Sequence, residues 1–354
     1  MMYEIILNAH VHTKYSDGSK THKEIAKIAA ESGIDGILFN DHNVFPIGPE
    51  GYYEFKSKRI LAIIGEEIHD IERQPQKNHL LAYGTSKSFS HFAEKPRNLI
   101  SQIRKNGGMS FIAHPYDPIF PEFDEEDLSW EDWDVSGFTG IELWNNLSEF
   151  KIRAKSKLHG YFFAFFPEFM AEKAPKQILR IFDRFINEGH WMVAIAGSDA
   201  HEFHYQIGPI IKTVFPYSYH FHGINNHILL KSPLTGKFET DREMVLSSIK
   251  RGSLFIANDR IASSKGFRFF AQKGKEEIHS GQRCRFHSQM MLRAELPAPA
   301  ECTLYKNGEK IESVQVRKRY NYPIKGPGVY RIECFRYFLF KKRGWIYSNP
   351  IFID

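Results

Sequence analysis

Histidines and carboxylates recur along this chain at spacings that suit metal chemistry. His10 and His12 stand one residue apart, with Asp17 five residues on. Asp41-His42, Glu66-Glu67, His79 and His114 follow, and Asp199 and His201 repeat the one-apart spacing. Neutral imidazole and carboxylate oxygen suit Zn²⁺, Mn²⁺ or Fe²⁺, and carboxylates also neutralise charge and bridge neighbouring ions. On an extended segment residues i and i+2 point the same way, so His10 and His12 can grip one ion, as can Asp199 and His201. Eight or nine such donors exceed what one tetrahedral or octahedral ion can use, which argues for two or three. Taken singly each signal is weak: a lone Glu at a strand end is usually solvated, and His79 alone reads as a hydrogen-bonded core histidine. Their strength lies in sharing one structural location.

That location follows from the elements around them. Tyr3–Ala9 reads as a buried strand, and Thr21 offers an N-cap to a helix that stops at Gly33. Gly36–Asn40, Ile60–Gly65 and Leu80–Tyr83 read as further strands, and Pro96–Asn106 as a helix ended by Gly107-Gly108. The strands MSFIA and GIELW, the helix Gln177–Glu188 and the strand MVAIAG complete the series. Such alternation predicts a parallel sheet, and about seven repeats favour a closed barrel over an open sheet. Every potential ligand then falls at a strand's carboxyl end or just beyond it, except His79, which opens its strand. In a parallel barrel those ends meet at one mouth.

Residues 145–176 interrupt the rhythm with a helical insertion carrying Phe162, Phe163, Phe165, Phe166 and Phe169. A helix pair covering the barrel is the plain reading, with a substrate-shielding lid or a dimer face as the alternative. Asp241–Arg251 reads as a last helix. From about Gly266 short alternating strands take over, and Asn307-Gly308 is a strong hairpin signal, so a small β-sandwich is expected. The expected division is a barrel over residues 1–262 and a β-sandwich over 263–354.

Bulk properties agree with this picture. At roughly 150 residues per domain, 354 residues predict two domains, and 42% hydrophobic with 25% charged residues lies in the globular range. No uncharged apolar run approaches the roughly 18 residues of a membrane span, and the start lacks a basic region followed by an apolar stretch. A soluble, unexported, cytoplasmic protein is expected. The three cysteines, Cys284, Cys302 and Cys334, are odd in number and lack a CxxC, which argues against a disulfide framework or a thiolate metal site. From Lys265 onward 18 Lys and Arg face 8 Asp and Glu, a net +10, against −5 for residues 1–264. Those basic residues mostly alternate with apolar ones, as on the wet face of a sheet; a nucleic-acid-binding module is the alternative.

The segments NAHVHTKYSDG, FNDHN, GEEI, HLLAYG, FIAHPYD and GSDAH, in that order, resemble the polymerase-and-histidinol-phosphatase (PHP) superfamily of metallohydrolases. The resemblance spans most of residues 1–205 and implies a distorted (β/α)7 barrel with usually three clustered ions. By position it implies that His10, His12 and Asp199 hold one ion, that Glu67 bridges it to a second held by His79 and His114, and that Asp17, His42 and His201 hold the third. The family pattern selects Glu67 over Glu66, which should point the other way. The tail segments LYKNGE, GVYRIE and YSNPIFI are similar to the immunoglobulin-like β-sandwich that follows this barrel in a branch related to carbaryl-type metallohydrolases.

The function this implies is a metal-dependent phosphoesterase acting on mono- or diesters through a metal-bridging hydroxide at a di- or trinuclear site of Zn, Mn or Fe. Carbamate or carboxyl-ester hydrolysis is the alternative. Asp199 or His201 could protonate the leaving group. Lys14 and Arg153 are candidate substrate contacts, although an ordinary surface charge is the plainer reading of each; His204, also a candidate contact, and Tyr116 are equally open to a packing role. Glu142 is expected to orient a ligand. A small phosphorylated substrate or short nucleotide is the expected partner, with no membrane and no obligate protein partner.

Overall fold

The computed structural model describes residues 2–56, 58–207 and 209–354. Its first unit comprises β1 (Tyr3–Val11), α1 (His22–Ser32), β2 (Gly36–Phe39), β3 (Gly51–Glu54), β4 (Arg59–Ile68), β5 (Leu80–Tyr83), α2 (Pro96–Lys105), β6 (Met109–Ile112), β7 (Gly140–Asn145), α3 (Asn146–Arg153), α4 (Lys157–Phe165), α5 (Lys176–Asn187) and β8 (Val193–Gly197). It continues with β9 (Phe203–Ile207), β10 (Ile210–Val214), α6 (Tyr217–Phe221), β11 (Ile224–Leu230), α7 (Phe238–Lys250) and β12 (Leu254–Asn258). The start of α1 shows how local sequence sets an element. Thr21 accepts from the Glu24 amide while Glu24 reaches back to the Thr21 amide, and Gly33 closes the helix in the left-handed region. Losing such a cap costs about 1 kcal/mol.

The strands line up as β12-β11-β1-β2-β4-β5-β6-β7-β8. The β1–β2, β2–β4, β6–β7 and β7–β8 pairs are parallel, but β5 runs antiparallel to both β4 and β6. The all-parallel expectation is corrected here. No helix crosses over between β4 and β5, and without a crossover a neighbouring strand must return antiparallel. The reversal explains His79: it precedes its strand yet reaches the same end of the sheet as residues that follow theirs. β4 also runs further than expected, so Glu66 and Glu67 lie within the strand and alternate across it.

The sheet curls back on itself at β8. Ser198 and Ala200 donate to the carbonyls of Ala9 and His10, and His12 donates to Ala200, at 2.9–3.1 Å. Two side-chain amides complete the remaining edge of β8. Asn226 accepts from and donates to the backbone of Ala196, and Asn349 does the same at Ala194, all at 2.8 Å. Each mimics a neighbouring strand.

The tail comprises β13 (Arg268–Lys273), β14 (Glu276–His279), β15 (Arg283–Cys284), β16 (Met291–Glu295), β17 (Ala300–Lys306), β18 (Glu309–Val316), β19 (Arg319–Pro323), β20 (Gly328–Phe338), β21 (Lys341–Ser348) and β22 (Ile351–Ile353). β14-β13-β16-β19 form one sheet. β17, β18, β20, β21, β22 and β15 join the large sheet, because β21 pairs antiparallel with β12. Phe269, Ala271 and Leu292 from the first and Leu304, Ile332 and Trp345 from the second share one buried cluster. Cys302 and Cys334 lie inside it, free and facing each other across β17 and β20. No helix among the described residues is long and apolar enough to cross a membrane.

Candidate metal centre

All nine residues expected as ligands come together at the end of the curled sheet, around Glu67. Oε2 of Glu67 lies 3.0 Å from His10 Nε2, 3.3 Å from His12 Nε2 and 3.1 Å from His42 Nδ1. Its Oε1 lies 2.9 Å from His79 Nδ1 and 3.0 Å from His114 Nε2. Asp199 Oδ1 stands 3.5 Å from His10 and 3.3 Å from His12, and Asp17 Oδ2 is 3.2 Å from His201. Three sets have donor atoms within 4.8 Å of one another: His12, Asp17, His42 and His201; His10, His12 and Glu67; His42, Glu67 and His79. The first contains the whole expected third-ion set, with His12 added. In the last, His42 stands with Glu67 and His79 where His114 was expected.

The donors are buried yet unsatisfied. Nε2 of His10 and His12, Nδ1 of His42 and Oε2 of Glu67 have no aligned hydrogen-bond partner although water cannot reach them. An unpaired buried polar group costs roughly 1–3 kcal/mol, so four facing one another call for a proton shared between imidazole and carboxylate or for a guest that accepts their lone pairs. Divalent cations do so, and the N/O donor set fits them. The backbone is strained here as well. His10, His114 and Asp199 have φ of 60°, 26° and 53°, in the left-handed region that side-chain-bearing residues avoid.

Surrounding groups fix the donors. Glu142 accepts from His10 Nδ1 at 2.8 Å and from the His114 amide at 2.8 Å, which turns His10 Nε2 inward. A Cβ at Gly197 would overlap that Glu142 carboxylate, so the close approach requires glycine. Asp41 accepts from the Thr13 amide and from Ser16 Oγ, tying down the loop after His12. Glu66 points the other way, as expected, and accepts from Ser88 and the Phe89 amide.

Charge is shared throughout the cluster. Burial alone would raise Glu67, but His10, His42 and His79 override it and hold its carboxyl well below the usual range. Burial would likewise lower His10, but Glu142, Glu67 and Asp199 hold it well above. His12 rises to about 9 against burial because Asp199 and Glu67 face it. Burial wins at His42, which falls well below its ordinary value.

A cavity of about 830 Å³ opens over the cluster. None of the expected substrate contacts lines it. Lys14 is exposed. Arg153 is held by the Phe169 carbonyl at 2.8 Å and by Glu172 at 3.1 Å. His204 turns to Thr213 at 3.2 Å. The cation in the wall is Lys151, which donates to Asp117 at 2.9 Å. It sits two residues before Arg153 on α3, about 200° away around the helix, which separates cavity from exterior. His69 was also missed; its ring stacks on His79 with centroids 4.3 Å apart. The alternation that singled out His10 and His12 applies equally to Glu67, near the end of β4, and His69, just past it. The β9–β10 hairpin, unexpected from the sequence, contributes Phe203, Tyr205 and Val214 to the wall.

The PHP domain family matches residues 8–189. An uncharacterised protein of Methanocaldococcus jannaschii, MJ1587, is 30% identical over 121 residues, covering 31% of this chain and 67% of that protein. Among solved structures, a two-domain protein of Bacteroides vulgatus, described as containing a predicted PHP-like metal-dependent phosphoesterase, is similar over 99% of this chain and 95% of its own, at 13% identity and TM-score 0.46. A proposed metal-dependent phosphoesterase of Bifidobacterium adolescentis is similar over 58% of this chain and 92% of its own, at 16% identity and TM-score 0.36.

Proposed function

Because the chain belongs to the PHP domain family, which matches residues 8–189, we propose that it is a metal-dependent phosphoesterase. The observation that carries this is the set of buried, unpartnered imidazole nitrogens around Glu67 at the floor of an open cavity. His10, His12, Asp17, His42, Glu67, His79, His114, Asp199 and His201 would hold two or three ions of the Zn, Mn or Fe type. Such ions, when bound, acidify a water into a nucleophile near neutral pH and draw off charge from phosphate oxygens.

The chain's own residues do the rest. Glu142 fixes the His10 tautomer, and Asp41 fixes the path of the loop after His12. Lys151, reaching into the cavity from α3, meets a non-bridging phosphate oxygen and orients the ester for in-line attack. Glu125, exposed at the cavity rim, also lines it; partial burial raises its carboxyl despite Lys151, and its place there makes it the candidate to give a proton to the departing alcohol. Asp199, whose carboxyl is held well below the usual range, suits an ion better than a transferable proton. We read the curled sheet as the distorted (β/α)7 barrel and the two tail sheets as an immunoglobulin-like sandwich from about residue 263.

The test is metal content and turnover together. Protein reconstituted with Mn²⁺ or Zn²⁺ should hydrolyse 4-nitrophenyl phosphate or its bis-ester. Two or more bound ions without hydrolysis of either ester would overturn the proposal.

A further inference from the structure

The cavity is far larger than a phosphoryl group needs, and its far side is built of carbon. Its 830 Å³ lies toward the upper end of the roughly 300–1,000 Å³ spanned by small-molecule sites. Beyond the clustered imidazoles, Phe203, Phe215, Phe150, Phe120, Phe123 and Tyr161 form the wall. They make two runs of ring contacts, with Phe203 packed against the cluster that holds Phe120 and Phe215. His201 stacks on Phe203 at 5.2 Å, Phe150 meets Phe215 at 5.2 Å and Phe120 at 5.8 Å, and Phe123 meets Phe120 at 4.9 Å and Tyr161 at 6.0 Å. Offset and edge-on ring contacts of this kind favour a flat aromatic guest.

The charge facing the cavity points the same way. Outside the nine clustered residues it consists of Asp117, Glu125 and Lys151, and Lys151 is already paired with Asp117. A polyanionic strand needs a run of cations along its path, which this wall does not offer among the described residues. Apolar surface continues outside on α4 and the residue after it, where Leu158, Phe162, Phe165 and Phe166 are exposed.

We propose that this cavity selects phosphate esters of bulky aromatic alcohols, with the ring against the phenylalanine wall and the phosphoryl group over the His/Glu cluster. The inference rests on the phosphoesterase reading for its chemistry. Water adds to phosphorus, the P–O bond to the alcohol breaks, the alcohol oxygen takes up a proton, and inorganic phosphate and the free alcohol leave. The ring subsite itself stands on geometry alone.

The experiment compares biphenyl-4-yl phosphate, glycerol 3-phosphate, dodecyl phosphate and adenosine 5′-monophosphate as substrates, and measures 4-phenylphenol binding to metal-free protein by calorimetry. We expect kcat/KM for the biphenyl ester to exceed that for the glycerol ester by tenfold or more. The free phenol should bind with a negative heat-capacity change. Ala164→Trp, which fills the apolar end from α4, should collapse both the preference and the binding. Equal turnover of glycerol and biphenyl esters, or preference for the nucleotide or the alkyl ester, overturns the proposal. Phenol binding without hydrolysis of any ester keeps the subsite and sinks the phosphoesterase reading. Failure of the phenol to bind sinks the subsite.

Discussion

Two regions of this molecule bury charge, and they treat it oppositely. Where the tail packs on the first unit, Arg331 donates through Nε and Nη2 to both carboxylate oxygens of Asp183, at 2.8 and 2.7 Å, and also pairs with Glu333. Elsewhere, where Arg268 of the tail reaches Glu4, His227 lies between Glu4 at 2.8 Å and Asp259 at 3.0 Å, and Ser264 bonds Asp259 at 2.6 Å. Arg331 and His227, with the carboxylates around them, have aligned partners. At the mouth, lone pairs crowd about Glu67 with no aligned partner, on backbone held in the left-handed region. A buried network that is complete serves the fold. One that is incomplete in this orderly way leaves places for a guest, at some expense to the protein that holds them.

The sharpest way to break the contrast is at Glu67. Glu67→Gln should lose bound metal and lower kcat/KM by about 10³-fold or more, equivalent to several kcal/mol of transition-state stabilisation. Metal analysis and steady-state kinetics check it; unchanged metal content would show the assignment to be wrong. At the seam Arg331→Met should do the reverse. It leaves Glu333 buried and Asp183 half-buried without their cation, so urea unfolding should show a loss of about 3 kcal/mol with metal content retained.

His227 gives a pH test of the same seam. Asp259 and Glu4 raise it against burial to about 9, whereas in the unfolded chain it titrates near 6.5. A raised folded value means the stabilisation is complete below about pH 6.5 and disappears as pH climbs through 9. Its size is about 3 kcal/mol. Unfolding free energies of the native protein at pH 6 and 9.5 should differ by that much more than those of His227→Gln. At the mouth, Glu142→Gln should weaken metal affinity by roughly 10–100-fold, measured by competition with a chelator. Lys151→Met should lower kcat/KM about tenfold with metal content intact, and Arg153→Met should lower it less.

Eight of the nine clustered residues were readable because each sits at or just past a strand's carboxyl end, and those ends converge. His79 was readable for a reason the sequence did not supply, since only the reversal of β5 brings it to the mouth. His69 carried the same alternation signal as His12 but lies past the point where β4 seemed to stop. Lys151 and Arg153 could not be separated without the helical phase, because both are cations just after β7. The β9–β10 hairpin has strands of five residues each, and the sequence between them is Gly208-Pro209, a turn dipeptide, so a local signal was present and went unread. Glu142 was readable as an orienting group from its place in GIELW, although the two partners it serves lie on other strands.

The amides of Asn226 and Asn349 along β8 have a consequence for how the protein is made. β8 leads directly into Asp199, yet part of its edge stays bare until residue 349 has left the ribosome. At about 5–20 residues per second, that is roughly 7–30 s after Asp199 has been added. During this interval the nascent chain carries most of its histidines, while the Ala194 backbone near the start of β8 still lacks its Asn349 partner.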